Sequence, residues 1–144
     1  MEQLKIKKID ERAKLPTYGT IDSAGADLYA VLDEDIKINP GETVIISTGL
    51  SMAIPRGYVG LIYARSSLGT KKGLAPANKV GVIDADYRGE VKVVLYNQSK
   101  DIQTITPNER IAQIVITPYM QVEFQEVEEL SDTERGSGGF GSTN

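Results

Sequence analysis

The sequence predicts an all-β fold, a sandwich or barrel with one short helix and a flexible glycine-rich tail. Three features predict it. Apolar residues recur with period two in almost every patterned segment, proline and glycine sit at turn positions between those segments, and the patterning stops near residue 130.

Taken in order, Leu4 and Ile6 alternate with Lys5 and Lys7, and Ile36 and Ile38 with Asp35 and Lys37. Val44, Ile46, Thr48, Leu50, Met52 and Ile54 then line one face of a long strand, opposite Ser47, Gly49, Ser51 and Ala53. Further strands are predicted over roughly 57–64, 89–97, 101–106, 110–117 and 120–127. Asn39-Pro40-Gly41 places proline second and glycine third, as a type II turn requires. Ile54-Pro55-Arg56-Gly57 and Thr106-Pro107-Asn108-Glu109 also place proline second, preset at the φ of that position. The one helix opens at Ser66 or Ser67 and ends near Gly73. Residues 1–130 are predicted to form one β domain. Residues 131–144 hold a single large apolar side chain, Phe140, too little to offset their ordering entropy, so order there should come from a ligand.

Composition narrows the chemistry. The 144 residues, 40% hydrophobic and 25% charged, fit one globular domain. A net charge of −4 without a long basic run argues against nucleic acid as the main partner. With no cysteine, disulfides, thiolate zinc sites and thiol nucleophiles are excluded. With no histidine, so are imidazole ligands and the serine–histidine triad. Catalysis must rest on carboxylates, hydroxyls, arginines and a hard metal. No apolar run approaches membrane-span length and the N-terminus does not read as a signal peptide, so no membrane is expected and a cytoplasmic location is (or nuclear, for a eukaryotic or viral source).

Four stretches could carry chemistry. Gly81-Val82-Ile83-Asp84-Ala85-Asp86-Tyr87-Arg88-Gly89-Glu90 reads as two strands joined by a tight turn, with a carboxylate and a phenol at the mouth of a hairpin. Ala64-Arg65-Ser66-Ser67-Leu68-Gly69 puts a guanidinium, hydroxyls and free backbone N–H groups at a strand-to-helix junction, where an oxyanion can be held; a serine helix cap beside a surface arginine is the alternative. Asp22-Ser23-Ala24-Gly25-Ala26-Asp27-Leu28 surrounds a carboxylate with small residues at a strand start. In Asn108-Glu109-Arg110-Ile111-Ala112-Gln113, Gln113 shares the parity of Ile111 and Val115 and should face the core, as a buried network member or a ligand contact.

These stretches and the tail resemble, in order and over nearly the whole chain, the five motifs of the trimeric deoxyuridine triphosphate nucleotidohydrolases (dUTPases). The matching segments are Ala24 to Leu28, Arg65 to Gly69, Gly81 to Gly89, Glu109 to Gln113 and Arg135 to Thr143. Ala26 and Ala64 depart from the family pattern, at positions without a chemical role. The resemblance implies a jelly-roll-like β domain that forms a homotrimer with sites shared between subunits. It implies Mg²⁺-assisted hydrolysis of dUTP to dUMP and pyrophosphate, which limits uracil entry into DNA and supplies dUMP for thymidylate synthesis. In such enzymes the residue matching Asp84 orients the attacking water, and the one matching Tyr87 packs on the deoxyribose and excludes a 2′-hydroxyl. Uracil is read by the backbone from Val82 through Ile83 to Asp84 and by Asn78, and Lys92 joins the substrate-binding set. Arg65, Ser66, Ser67 and Gln113 match phosphate-binding positions. Arg135, Ser142 and Thr143 match groups that grip the γ end, beside Gly141 and the uracil-stacking Phe140. Asp27 matches a carboxylate that reaches the metal through water.

Two other readings compete. The related dCTP deaminases carry a catalytic glutamate on the strand after the hairpin. The matching residue here is Val94, and no acid lies between Val91 and Asn97. A nucleotide-binding β-protein without chemistry would show a lesion at Asp84, Tyr87 or the tail, and none is present.

Overall fold

The period-two runs pair into antiparallel ladders whose apolar faces close on each other. The computed structural model describes residues 3–141. Its elements are β1 Lys5–Lys8, β2 Thr17–Tyr18, β3 Ala26–Tyr29, β4 Ile36–Ile38, β5 Thr43–Ala53, β6 Tyr58–Tyr63, α1 Ser66–Lys72, β7 Leu74–Pro76, β8 Gly81–Ile83, β9 Glu90–Asn97, β10 Gln103–Ile105 and β11 Arg110–Pro118. A four-stranded sheet runs β1-β5-β9-β7 and a five-stranded sheet runs β2-β3-β11-β6-β8, with β4 and β10 as a separate pair. This is the jelly-roll-like all-β architecture with one short helix. Leu28, Ile46, Leu50, Val91, Leu95 and Ile111 are fully enclosed in its core. Asn97, buried among them, donates from Nδ2 to the carbonyls of Ile38 and Asp101 and accepts from Ser99, so no polar atom there is orphaned.

Turn chemistry holds in the two asparagine-flanked turns. Gly41 sits at φ +76° with Glu42 N–H on the Asn39 carbonyl, and Asn108 at φ +64° with Glu109 N–H on Thr106. The third turn is shifted by one residue. Tyr58 N–H bonds the Pro55 carbonyl, so Pro55 opens that turn and Gly57, at φ +87°, takes the third position. The helix ends as expected on left-handed Gly73, with Lys71 and Lys72 in its last turn. Its N-cap is Arg65, and no side chain caps it.

The predicted hairpin around Asp84 does not form. β8 pairs with β6 in one sheet, whereas β9 pairs with β5 and β7 in the other. Residues Asp84–Gly89 therefore cross between sheets. Alternation announces a strand but does not name its partner. No strand forms over 120–127 either. The alternating Met120, Val122 and Phe124 are exposed, with no strand of the same chain beside them to pair with. Three short strands, β2, β3 and β7, are too brief to show a period.

Two bulges interrupt the ladders, and the one in β11 resets its faces. In β11, Arg110 pairs with Tyr29 and Ala112 with Leu28, so Ile111 is an extra residue. Ile111 and Ala112 are both buried, and beyond them Ile114 continues the core face. Gln113 is thereby turned off the core, against the parity reading. In β5, Ser47 pairs with Lys92 and Leu50 with Val91, leaving Thr48 and Gly49 without direct partners. Gly49 takes φ +66°, and a Cβ there would meet the Cβ atoms of Ala13 and Asp10 at 2.8 and 3.0 Å. Gly49→Ala should therefore lower stability by about 2 kcal/mol or more, from backbone strain and overpacking together. A drop in the urea midpoint at constant slope would register it.

Candidate active site

The strand register gathers polar side chains into a row. Thr17, Asp27, Gln113 and Tyr63 are successive cross-strand partners over β2, β3, β11 and β6, so they share one face near the end of β6. Arg65 follows that end and turns back over the row. Its Nε donates to Asp27 Oδ1 at 2.6 Å, and Arg110 Nη1 donates to Asp27 Oδ2 at 3.2 Å. Asp27 is 8% exposed, so its charge depends on these two guanidiniums. Arg65 Nη1 also donates to Ser67 Oγ at 3.2 Å. Gln113 Nε2 donates to the Ala64 carbonyl at 2.8 Å, and its side chain lies where a Cβ on Gly25 would sit. Asp27, Arg65, Arg110 and Gln113 line a cavity of about 380 Å³ with Ser23 and Ser66. Two cations, serine hydroxyls and the opening turn of α1 face one space, which suits a phosphate chain.

A second, smaller cavity of about 220 Å³ is lined by Val82, Ile83, Asp84, Tyr87, Glu90 and Lys92. The turn that shapes it is closed by Tyr87 N–H on the Asp84 carbonyl. Arg88 Nη1 braces it, donating to the carbonyls of Ala85 and Tyr87. Tyr87 lies against Gly89, where a Cβ would collide with the ring. Asp84 and Val82 are exposed, and Asn78 approaches Gly81 at the foot of β8.

The two cavities lie at opposite ends of β6. Gly60 pairs with Ile83, so continuing the register sets Asp84 beside Val59. From Val59 to Arg65 is six residues, or about 20 Å along the strand. Within one chain, then, Arg65, Ser66, Ser67, Asp27 and Gln113 come together, and Val82, Ile83, Asp84, Tyr87 and Lys92 come together, but the two sets do not meet. None of residues 131–141 lines either cavity. Arg135 bonds the Gly138 carbonyl, and Phe140 is fully exposed at φ +53°. Ser142 and Thr143 lie outside the described residues.

Arg110 and Glu90 are site residues that the sequence reading did not place. Arg110 carried a signal, an arginine opening an apolar strand. Glu90 carried none, because its role depends on a bulge in a distant strand. Asp27→Asn should cost about 2 kcal/mol of stability in chemical denaturation. That is less than orphaning a fully buried charge, because the Arg110 side chain reaches solvent.

Comparison with known proteins fits this geometry. The dUTPase family model matches residues 11–144. The chain is 52% identical over 141 residues to a deoxyuridine 5′-triphosphate nucleotidohydrolase of Nautilia profundicola, covering 98% of each. It is 46% identical to the corresponding protein of Acinetobacter baylyi, covering 98% of this chain and 97% of that one. Among solved structures, a Staphylococcus bacteriophage 80alpha dUTPase variant with dUpNHpp superposes with TM-score 0.87 at 30% identity, covering 99% of this chain and 98% of that one. A phage phi11 dUTPase variant, described with a structural Mg(II) ion, gives TM-score 0.78 at 27% identity over 89% of this chain and 98% of the other. With the motifs, the fold and a family match over nearly its full length in agreement, the chain belongs to the dUTPase family.

Proposed function

We propose that this chain, an enzyme of the dUTPase family, hydrolyses dUTP to dUMP and pyrophosphate with Asp84 as the base that orients the attacking water. The observation that carries this reading is an exposed carboxylate, Asp84, at the wall of a small cavity in a chain without histidine. The water oxygen bonds to the α-phosphorus and its proton passes to Asp84. The bond from that phosphorus to the α–β bridging oxygen breaks, and pyrophosphate departs with the electron pair. Ser66, Ser67 and Arg65 meet the charge that grows on the leaving oxygens. The backbone from Val82 to Asp84 and Asn78 read uracil, Tyr87 fills the space a 2′-hydroxyl would need, and Lys92 borders the same cavity.

A shared site follows from the 20 Å argument. The base and the leaving-group serine must flank one phosphorus, within a few ångströms, whereas one chain holds them about 20 Å apart along β6. Two subunits can supply the two halves, as in a homotrimer, and the 131–144 tail of a subunit closes over the assembled site through Arg135, Phe140, Gly141, Ser142 and Thr143. Among the described residues no group of three ligating side chains comes together. The donor set fits Mg²⁺ carried by the triphosphate, with Asp27 meeting it through water, since each carboxylate oxygen keeps acceptor capacity beside its arginine. When bound, the ion neutralises phosphate charge.

Single-turnover assays with dUTP test the reading. Asp84→Asn should leave nucleotide binding nearly intact and slow turnover roughly a hundredfold to ten-thousandfold, while Asp86→Asn changes little; equal losses would remove Asp84 from its role. Removing everything after Leu130 should spare folding and dUMP binding and severely reduce turnover. Mixing inactive Arg65→Ala chains with inactive Asp84→Asn chains should restore partial activity, because some sites then combine intact halves. Failure of well-mixed trimers to recover would end the shared-site model.

A further inference from the structure

The cavity beside Tyr87 is held in shape by a device in a distant part of the sequence. The two unpaired residues of the β5 bulge both reach β9. Thr48 Oγ1, 1% exposed as a residue, donates to the Val91 carbonyl at 2.5 Å. Gly49 N–H, which the bulge frees from the ladder, donates to Glu90 Oε1 at 3.0 Å. Two residues on, Ser51 Oγ donates to the Arg88 carbonyl at 2.7 Å. Glu90 is where these bonds meet the cavity. Its own carbonyl accepts the Tyr87 hydroxyl at 2.9 Å, and its Oε2 lies 3.5 Å from Lys92 Nζ. The Tyr87 ring is thus tied at its hydroxyl to one backbone oxygen, and that backbone is tied by its own side chain to the bulge.

We propose that Glu90 is a positioning residue for sugar discrimination, which it exerts by fixing the Tyr87 ring against the β5 bulge. The proposal rests on the reading of Tyr87 as the group that excludes a 2′-hydroxyl. A ring can exclude one oxygen atom only if it cannot swing away, and an exposed tyrosine on a crossing loop has little packing to stop it. Glu90 supplies the restraint through two acceptors on one residue. The carboxylate accepts the Gly49 amide of the bulge, and the carbonyl accepts the phenol. Gly89 completes the arrangement, since a side chain there would displace the ring. The Glu90 carboxylate is engaged by the Gly49 amide and Lys92, so its loss falls on binding and selectivity.

The experiment measures kcat and KM for dUTP and UTP on the full-length protein. Glu90→Ala should lower the dUTP-to-UTP ratio of kcat/KM about tenfold, chiefly by raising KM for dUTP with kcat held. Glu90→Gln, which keeps an acceptor for the Gly49 amide, should retain the ratio. Tyr87→Phe, which keeps the ring and cuts the tether, should give a ratio between those of the unaltered chain and Tyr87→Ala. Equal losses for both substrates in Glu90→Ala, with the ratio unchanged, would mean a merely structural role and overturn the proposal. Should Glu90→Ala not fold, Tyr87→Phe decides: a narrowed ratio supports the tether and an unaltered one removes it. If Tyr87→Ala itself leaves the ratio unchanged, the reading of Tyr87 fails and the proposal with it. If Tyr87→Ala narrows the ratio and the tether variants do not, the proposal alone fails.

Discussion

Asp27 sits on the short strand β3 with both carboxylate oxygens taken by guanidiniums, and a buried carboxylate without such partners would cost several kcal/mol. That constraint organises the cavity at this end of β6. It draws Arg65 back from the helix junction and Arg110 across from β11, two cations that would otherwise repel each other. The carboxylate does not spend their charge, because Arg110 remains half open to solvent and Arg65 still lines the cavity. An anion arriving there meets guanidiniums already in place, which spares side-chain ordering on binding.

The bulges carry the same logic. A regular strand sends alternate side chains to opposite faces, and any departure must be built into the backbone. Extra residue Ile111 lets β11 bury two successive side chains and then aim Gln113 at the polar cavity instead of the core. Extra residues Thr48 and Gly49 free one amide from the β5 ladder and deliver it to Glu90. Each irregularity adjoins or bonds a residue that lines a cavity. The β-sandwich supplies rigidity, and the bulges aim it.

Dividing the residues between two ends of β6 has a consequence for assembly. Each half is complete as a local structure, with its hydrogen bonds satisfied and no buried side-chain polar atom left unpaired among the described residues. Neither half brings Ser66 and Asp84 to one cavity. In residues 119–130 the apolar side chains of Met120, Phe124 and Leu130 are exposed, unburied by any of the described residues. Both features accord with the shared site proposed above.

The sequence alone determined the class of fold, the main strands, the helix with its glycine stop, and the residue types of the site. Those properties are local: alternation follows from the pleat, Gly73 and Gly41 from a left-handed backbone, and the absence of histidine from composition. The order of the motifs, through the resemblance they carry, also pointed to the family before any geometry was known. Tertiary structure decided what local pattern cannot encode. It chose the partners of β8 and β9, placing them in different sheets, and it turned Gln113 outward through a bulge at Ile111. It brought Asp27 to Arg110 across 83 positions and Glu90 to Gly49 across 41. Strand partners are selected by burial summed over the whole domain, and one inserted residue reverses every face beyond it, so neither can be read from a window of sequence.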